Sequence, residues 1–254
     1  MKFRVLLLLL LALLPPAHAA KDAGEMPKGF VLLRDVAPAI RQDMRYFGNH
    51  NFLGRPVAGY QAPECILSID AANALAGVQR DLEPWGLGLM VYDCYRPQRA
   101  VQDFVAWSKK TADQATKAEF YPRVDKKDFF KLGYVAEKSG HSRGSTVDVT
   151  IIPLNGPGPA AYAPGQALTP CTQPYDVRYK DGGLDMGTGF DCMDELSHPL
   201  SQGVPPLARA NRMLLRQAME RHGFKPYDFE WWHFTLKNEP HPETYYDFPV
   251  NSFR

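Results

Sequence analysis

Two short stretches of the chain hold residue types whose spacing could support chemistry. In the first, His141 and Asp148 are seven positions apart and are joined by a glycine-containing turn of small residues. In the second, Glu230 and His233 form a Glu-x-x-His pattern within an aromatic segment. Imidazole nitrogens and carboxylate oxygens are atoms that a zinc ion accepts as ligands. Together the stretches offer three such ligands and one further carboxylate.

This combination predicts a catalytic zinc site with one ion per chain. Three protein ligands, here His141, Asp148 and His233, leave one coordination position for water, and zinc lowers the pKa of that water toward ~7. The remaining carboxylate, Glu230, is the group expected to accept the proton of the water. Either stretch alone is a weak signal, because His233 could be a hydrogen-bonded core histidine and Glu230 a surface acid. The two stretches together favour catalysis.

The second stretch sets a structural condition on this site. The aromatic and β-branched residues around Glu230 and His233 favour a strand. On a regular strand, side chains three positions apart point to opposite faces of the sheet. Both residues can serve one site only if Glu230 lies at a bend or bulge just before the strand.

The N-terminus predicts export of the protein. Lys2 and Arg4 precede an apolar run at residues 5–14, and residues 17–19 fit a cleavage site, so we expect a signal peptide at 1–19 and one domain at 20–254. The run is about half of the roughly twenty residues that span a membrane, so no membrane span is expected after cleavage. Net charge is +1 with both signs interspersed, which indicates no nucleic-acid partner. A periplasmic or extracellular location follows.

The cysteines agree with this location. All four lie in the part expected to be exported, where disulfides persist. Four cysteines allow three pairings. We favour Cys65 with Cys94 and Cys171 with Cys192, because each pair closes a local loop; four free thiols are the alternative. A zinc site made of these cysteines is disfavoured, because no C-x-x-C spacing occurs.

The remaining elements indicate an α+β fold, because helices and strands mix without a regular βαβ repeat. Helices are predicted at residues 68–82, after Pro97 and at 207–222, and strands at 30–33, 87–92, 146–152 and 229–236. The inner face of the first helix should hold Ala71, Leu75, Val78 and Leu82. The inner face of the last helix should hold Met213, Leu214, Gln217 and Ala218. Residues 153–183, rich in Pro and Gly, predict a surface insertion tethered by Cys171.

The two stretches resemble the zinc D-alanyl-D-alanine dipeptidases, the family that includes the vancomycin-resistance dipeptidase. The similar segments are Tyr46 to Tyr60, Tyr92-Asp93-x-Tyr95-Arg96-Pro97, Ser139 to Asp148, Met186-Gly187-x-x-Phe190-Asp191, Glu230 to His233 and Tyr246 to Val250. They extend over nearly the whole mature chain. The resemblance implies a mostly antiparallel sheet flanked by helices, as in zinc D,D-carboxypeptidases and the Hedgehog signalling domain.

The resemblance also implies roles for individual residues. His141, Asp148 and His233 would bind zinc, and Glu230 would be the catalytic base. Further positions match a group that stabilises the transition state (Arg96), an acid that holds the substrate ammonium (Asp191) and residues that line the pocket (Tyr46 and Ser139). Structural alternatives remain for three of them: an ion pair of Arg96 with Asp93, a turn-capping role for Asp191 and a simple turn residue at Ser139.

The implied substrate is the small dipeptide D-Ala-D-Ala. The signal peptide, the four cysteines and the insertion depart from the shorter resistance enzyme, and export favours salvage of D-alanine from wall fragments over resistance. The insertion could also narrow or reshape the pocket. Two other functions stay open: a D,D-carboxypeptidase acting on peptidoglycan stem peptides, and a non-enzymatic metal-bound module that recognises the wall. Glu230 and Arg96 argue against the module, because a binder needs neither base nor oxyanion partner.

Overall fold

A computed structural model describes residues 25–253, and the expected signal peptide lies outside this range. The strands of the described chain are β1 Phe30–Leu32, β2 Arg41–Gln42, β3 Ile66–Ser68, β4 Leu87–Asp93, β5 Thr146–Pro153, β6 Phe224–Tyr227 and β7 Glu230–Leu236. Its α-helices are α1 Leu33–Val36, α2 Ile69–Leu82, α3 Gln98–Ser108, α4 Lys117–Phe120 and α5 Pro206–Arg221. Among them we find no helix whose length and apolar character would suit a membrane crossing.

A five-stranded sheet with the order β2-β4-β5-β7-β6 forms the centre of the domain. Only the β2–β4 pair is parallel, and the other three pairs are antiparallel. A separate antiparallel pair joins β1 to β3. The α+β class and the mostly antiparallel sheet predicted above are therefore confirmed.

Helix α2 covers the sheet with the face that its sequence predicts. Ser68 precedes the helix, and its hydroxyl accepts a hydrogen bond from the backbone N–H of Ala71 at 3.3 Å. This N-cap satisfies one of the free donors of the first turn. The predicted inner residues are all buried in the main core: Ala71, Leu75, Val78 and Leu82.

Helix α5 buries only part of the predicted face, since Ala218 is buried and Met213 is half-buried. Leu214 and Gln217 are exposed, whereas Leu215 and Met219 are fully buried beside Arg212. Arg212 was not among the predicted inner residues. Its guanidinium instead donates to the carbonyls of Met186, His198 and Leu196 at 2.6, 2.8 and 2.8 Å. A buried charge is tolerated when its donors are satisfied in this way.

Replacing Arg212 by methionine should lower the free energy of unfolding by about 3 kcal/mol or more, because three carbonyls that are partly or fully shielded from water lose a charged donor. Urea unfolding would measure the change. Arg216→Met on the same helix is the control, because its pair with Glu220 is more exposed and should be worth about 1 kcal/mol or less. Equal losses in both variants would contradict the anchoring role of Arg212.

The predicted insertion, 153–183, contains no helix or strand after β5 ends at Pro153. Ring packing and a disulfide are among the contacts that hold the insertion against the rest of the domain. The rings of Tyr162 and Tyr179 pack on the ring of His50, with centroids 4.2 and 4.0 Å apart. A disulfide joins Cys171 to Cys192, and a second one joins Cys65 to Cys94. These are the pairs that the short loops favour.

Candidate active site

Three neighbouring backbone segments bring the predicted metal ligands together. Asp148 of β5 lies directly opposite His233 of β7 and beside Asp93 of β4. His141 belongs to a 3-10 turn, Gly140–Arg143, that leads into β5. The turn ends at Gly144, whose φ of 83° and whose contact with Phe30 leave no room for a side chain, since a Cβ would come within 2.2 Å of that ring.

The donor atoms of these side chains form a close triangle. His141 Nε2 lies 3.3 Å from Asp148 Oδ1, and His233 Nδ1 lies 3.1 Å from the same oxygen. The two imidazole nitrogens are 3.2 Å apart. Ligands at 2.0–2.1 Å from a tetrahedral zinc ion would be separated by about 3.3 Å. The triangle therefore has the size that a shared zinc ion requires.

The hydrogen bonding of the triangle also fits a cation. Asp148 Oδ1 is buried and accepts no hydrogen bond from the described residues. The Nδ1 of His141 lies 2.7 Å from the carbonyl oxygen of Cys94, so Nδ1 donates there and the lone pair of Nε2 faces the other two ligands. Burial lowers the pKa of His141, which favours the neutral form that binds metal. These residues can hold a divalent ion.

Glu230 lies beside the triangle because β7 is irregular. The pairing of β6 with β7 runs regularly from Phe224 to Pro226, opposite Leu236 to Phe234, and then jumps so that Tyr227 pairs with Glu230. This shift meets the condition of a bulge, and Glu230 Oε2 lies 3.5 Å from His233 Nδ1. Burial raises the pKa of Glu230 to about 7, although His233 acts in the opposite direction. A carboxylate with this pKa can exchange protons near neutrality.

Arg96 makes the structural ion pair considered above and also faces the site. Its Nε donates to Asp93 Oδ2 at 2.9 Å, while Nη2 lies 3.6 Å from Asp148 Oδ2. The guanidinium carbon is 5.1 Å from the ring centroid of Tyr46 and 4.9 Å from that of Phe104. The ion pair and the two rings fix the orientation of the cation, so the two interpretations of Arg96 are compatible.

Asp191 is a buried carboxylate in a cavity that Glu230 also lines. The hydroxyl of Tyr46 donates to its Oδ2 at 2.9 Å. Burial raises the pKa of Asp191 well above its usual value, and the nearby Asp148 and Glu230 raise it further. A cationic group placed here would offset that cost, which suits a site for an ammonium group.

A cleft of about 230 Å³ opens in front of Glu230, His233 and Arg96 and is also lined by Ser139. Ser139 serves the turn as well, because its hydroxyl accepts from the N–H of His141 at 3.3 Å. A smaller adjoining cavity of about 40 Å³ reaches Asp191. No residue of the insertion, 153–183, lines either cavity. The insertion therefore does not narrow the cleft with its own residues, and it meets the smaller cavity only through the disulfide from Cys171 to the lining residue Cys192.

Three residues that shape the site were not predicted. Tyr134 and Tyr227 form walls of the cleft, and Asp93 holds Arg96 while its other oxygen accepts from the hydroxyl of Tyr60 at 2.6 Å. Asp93 could have been found from its position three residues before Arg96. That spacing was used only for the alternative interpretation, in which Arg96 forms a structural ion pair. The tyrosines come from segments whose sequence gives no sign of the cleft.

Comparison with known proteins agrees with the site. The chain matches the M15 peptidase family model, described as D-Ala-D-Ala dipeptidase, over residues 26–157 and 158–251. It is 40% identical over 225 residues to a D-alanyl-D-alanine dipeptidase of Streptomyces coelicolor, covering 89% of this chain and 100% of that one. Proteins with the same name are similar in Enterococcus faecium, at 36% identity over 89% and 100% of the two chains, and in Escherichia coli, at 33% over 79% and 81%.

Among solved structures, the chain overlaps with the vancomycin-resistance D,D-pentapeptidase VanY in complex with Zn(II), at a TM-score of 0.37 and 13% identity over 70% of this chain and 77% of that one. The assignment therefore rests on the sequence matches. They extend over the β-strands and turns that carry His141, Asp148, Glu230 and His233. This chain belongs to the D-Ala-D-Ala dipeptidase family of peptidases.

Proposed function

We propose that this protein is a zinc dipeptidase that hydrolyses D-Ala-D-Ala to two molecules of D-alanine. The observation that carries the proposal is the convergence of His141, Asp148 and His233 within 3.3 Å of one another, with the carboxylate of Glu230 beside them. Family membership supports the substrate, since the relatives bear the name of that activity.

One zinc ion would be held by His141, Asp148 and His233. When bound, zinc polarises a carbonyl oxygen and lowers the pKa of water, which provides a nucleophile near neutral pH. The hydrogen bond from His141 to the Cys94 carbonyl orients one ligand, and the position of Asp148 between two paired strands orients another. Outer partners of this kind fix the ligand geometry before the metal arrives.

Glu230 is the proposed general base and then the general acid. It takes a proton from the attacking water and gives it to the nitrogen of the leaving D-alanine. Burial places the pKa of Glu230 near 7, so the residue can carry out both transfers at neutral pH. The bulge in β7 supports this role, because it turns Glu230 and His233 toward one cleft.

The proposed binding groups recognise both charged ends of the dipeptide. Asp191, assisted by Tyr46, receives the ammonium group in the smaller cavity, and Ser139 lies in the larger cleft, where the carboxylate would extend. Arg96 stabilises the negative charge that develops on the carbonyl oxygen. A substrate with an acylated amino group would leave the buried Asp191 without a cationic partner. The free-energy cost of that unpaired carboxylate would confine the enzyme to free dipeptides.

The proposed location is the periplasm or the outside of the cell. Both disulfides support it, because such bonds persist in oxidising compartments. An exported dipeptidase would meet dipeptides released from the cell wall, which favours a role in D-alanine salvage.

An assay of purified protein with added zinc tests the function. We expect hydrolysis of D-Ala-D-Ala, and little or none of L-Ala-L-Ala or of a blocked pentapeptide ending in D-Ala-D-Ala. Hydrolysis of the pentapeptide without hydrolysis of the dipeptide would identify a D,D-carboxypeptidase instead. Metal binding without hydrolysis of any of these peptides would favour a recognition module.

Replacing Arg96 by lysine should lower kcat by about 10²-fold, because the ammonium group cannot reproduce the planar fork that reaches Asp93 and the oxyanion together. Steady-state kinetics with the dipeptide would measure the loss, and the zinc content should stay that of the wild type. Arg99→Lys is the matched control, since Arg99 pairs with Asp247 in an exposed position. Wild-type kcat in Arg96→Lys would remove Arg96 from the mechanism.

A further inference from the structure

We infer that the Cys171–Cys192 disulfide is a positioning device for substrate binding, which holds Asp191 in the backbone conformation that points its carboxylate at the ammonium group. The inference rests on the proposed function, because Asp191 is assigned there to the ammonium group of the dipeptide. The inference also gives the insertion a role. Through Cys171 the insertion would hold the backbone next to Asp191, although no insertion residue lines the cleft.

The backbone at Asp191 is strained. Its φ is +56°, and within the described chain no other residue except glycine has a positive φ. Aspartate tolerates this left-handed region better than most residues, but the conformation still costs free energy relative to extended or helical backbone. Strain of this kind persists only where the surroundings enforce it, and it concentrates at binding and catalytic sites.

The disulfide is a covalent constraint on the backbone conformation of Asp191. Cys192 directly follows Asp191, is fully buried, and is bonded to Cys171. Backbone hydrogen bonds continue the connection on both sides, from Gly189 N–H to the Cys171 carbonyl at 2.9 Å and from Met193 N–H to the Phe120 carbonyl at 2.8 Å. The strained residue is therefore fixed both before and after its own position.

The partner cysteine is itself held in place. The N–H of Cys171 donates to the carbonyl of Glu119 at 2.9 Å, and Glu119 Oε1 lies 2.8 Å from His50 Nε2. Tyr162 and Tyr179 pack on the same His50 ring. Cys171 therefore joins Asp191 to a packed cluster and not to a free loop. Without the disulfide, the segment around Asp191 could relax toward negative φ and turn the carboxylate away from Tyr46.

A double-mutant cycle separates this role from general stabilisation. Cys171→Ser with Cys192→Ser removes the bond, Asp191→Asn removes the charge, and the triple variant combines them. With Asp191 intact, loss of the bond should raise KM for D-Ala-D-Ala about tenfold, with kcat changed about twofold or less and zinc content unchanged. In the Asp191→Asn background the same loss should change KM by less than about twofold, because interacting sites are not additive.

Equal KM effects in both backgrounds, or no effect in either, would overturn the inference. The pair Cys65→Ser and Cys94→Ser is a comparison and not a neutral control, because the Cys94 carbonyl accepts from the zinc ligand His141. Its loss should act on zinc content and kcat, and its effect on KM should be the same in both backgrounds. Cys171→Ala with Cys192→Ala is tested in parallel. Failure of both the Ser and the Ala pair to fold would assign the bond to folding and would also overturn the inference.

The same measurements distinguish this inference from the proposed function. If the wild-type protein does not hydrolyse D-Ala-D-Ala, the proposed function is wrong. If it does, and the cycle is additive, the function stands and only the positioning role of the disulfide is wrong.

Discussion

Replacing Glu230 by glutamine should lower kcat for D-Ala-D-Ala by about 10³- to 10⁴-fold, at the upper end of what general acid–base catalysis contributes. Glutamine keeps the size of the side chain and can still form hydrogen bonds at the bulge of β7. It cannot accept a proton from water or pass one to the leaving amine. Steady-state kinetics with the dipeptide would measure the change.

The zinc content distinguishes loss of the base from loss of the metal. Glu230 Oε2 is 3.5 Å from the ligand atom His233 Nδ1 and is not one of the three proposed ligands. Glu230→Gln and Glu230→Ala should therefore bind one zinc ion per chain, as the wild type does. The exposed Glu243 provides the control, and Glu243→Gln should have wild-type kcat. Substantial turnover in zinc-loaded Glu230→Gln would contradict the assignment of the base.

Replacing His141 by alanine should abolish zinc binding at stoichiometric metal and reduce hydrolysis below detection. His141 is fully buried, and its loss leaves two ligands, Asp148 and His233, where a catalytic zinc site has three. A chelator should likewise inactivate the wild type, and stoichiometric zinc should restore it. Metal analysis and the dipeptide assay would measure both effects.

Thermal unfolding gives a second measure of the same site. Zinc bound to the folded state raises the unfolding midpoint of the wild type by mass action. That rise should be absent in His141→Ala. His241→Ala is the control, since His241 stacks on Phe30 outside the cleft, with ring centroids 5.8 Å apart, and should keep both zinc binding and activity. A His141→Ala variant that still binds zinc and hydrolyses the dipeptide would refute the proposed ligand set.

The sequence was most informative where function and local physics restrict the residue type. Zinc accepts few side chains, so the spacing of His141 and Asp148 and the pattern of Glu230 and His233 predicted the cluster that the structure brings together. Helix α2 was predicted with its buried face, because regular apolar spacing acts within one element. The resemblance to the dipeptidase family is confirmed by matches over most of the chain.

Local reasoning failed where a distant partner decides the outcome. The buried face of α5 was predicted only in part, because the carbonyls that accept from Arg212 belong to a distant segment, from Met186 to His198. The place of the insertion was not predicted, because it depends on ring contacts with His50, more than 100 positions earlier, and on the disulfide to Cys192. In both cases the sequence of the segment contains only half of the interaction.

The sequence by itself determined the chemistry available to this protein: the zinc-ligand residue types, a spare carboxylate, a cation and the order of helices and strands. Only the tertiary structure determined how the functional side chains are oriented. The register shift in β7 turns Glu230 toward His233, the rings of Tyr46 and Phe104 orient Arg96, and a strained φ directs Asp191. Residue types follow from local chemistry, whereas orientation depends on strand pairing and packing between segments that are far apart in the chain.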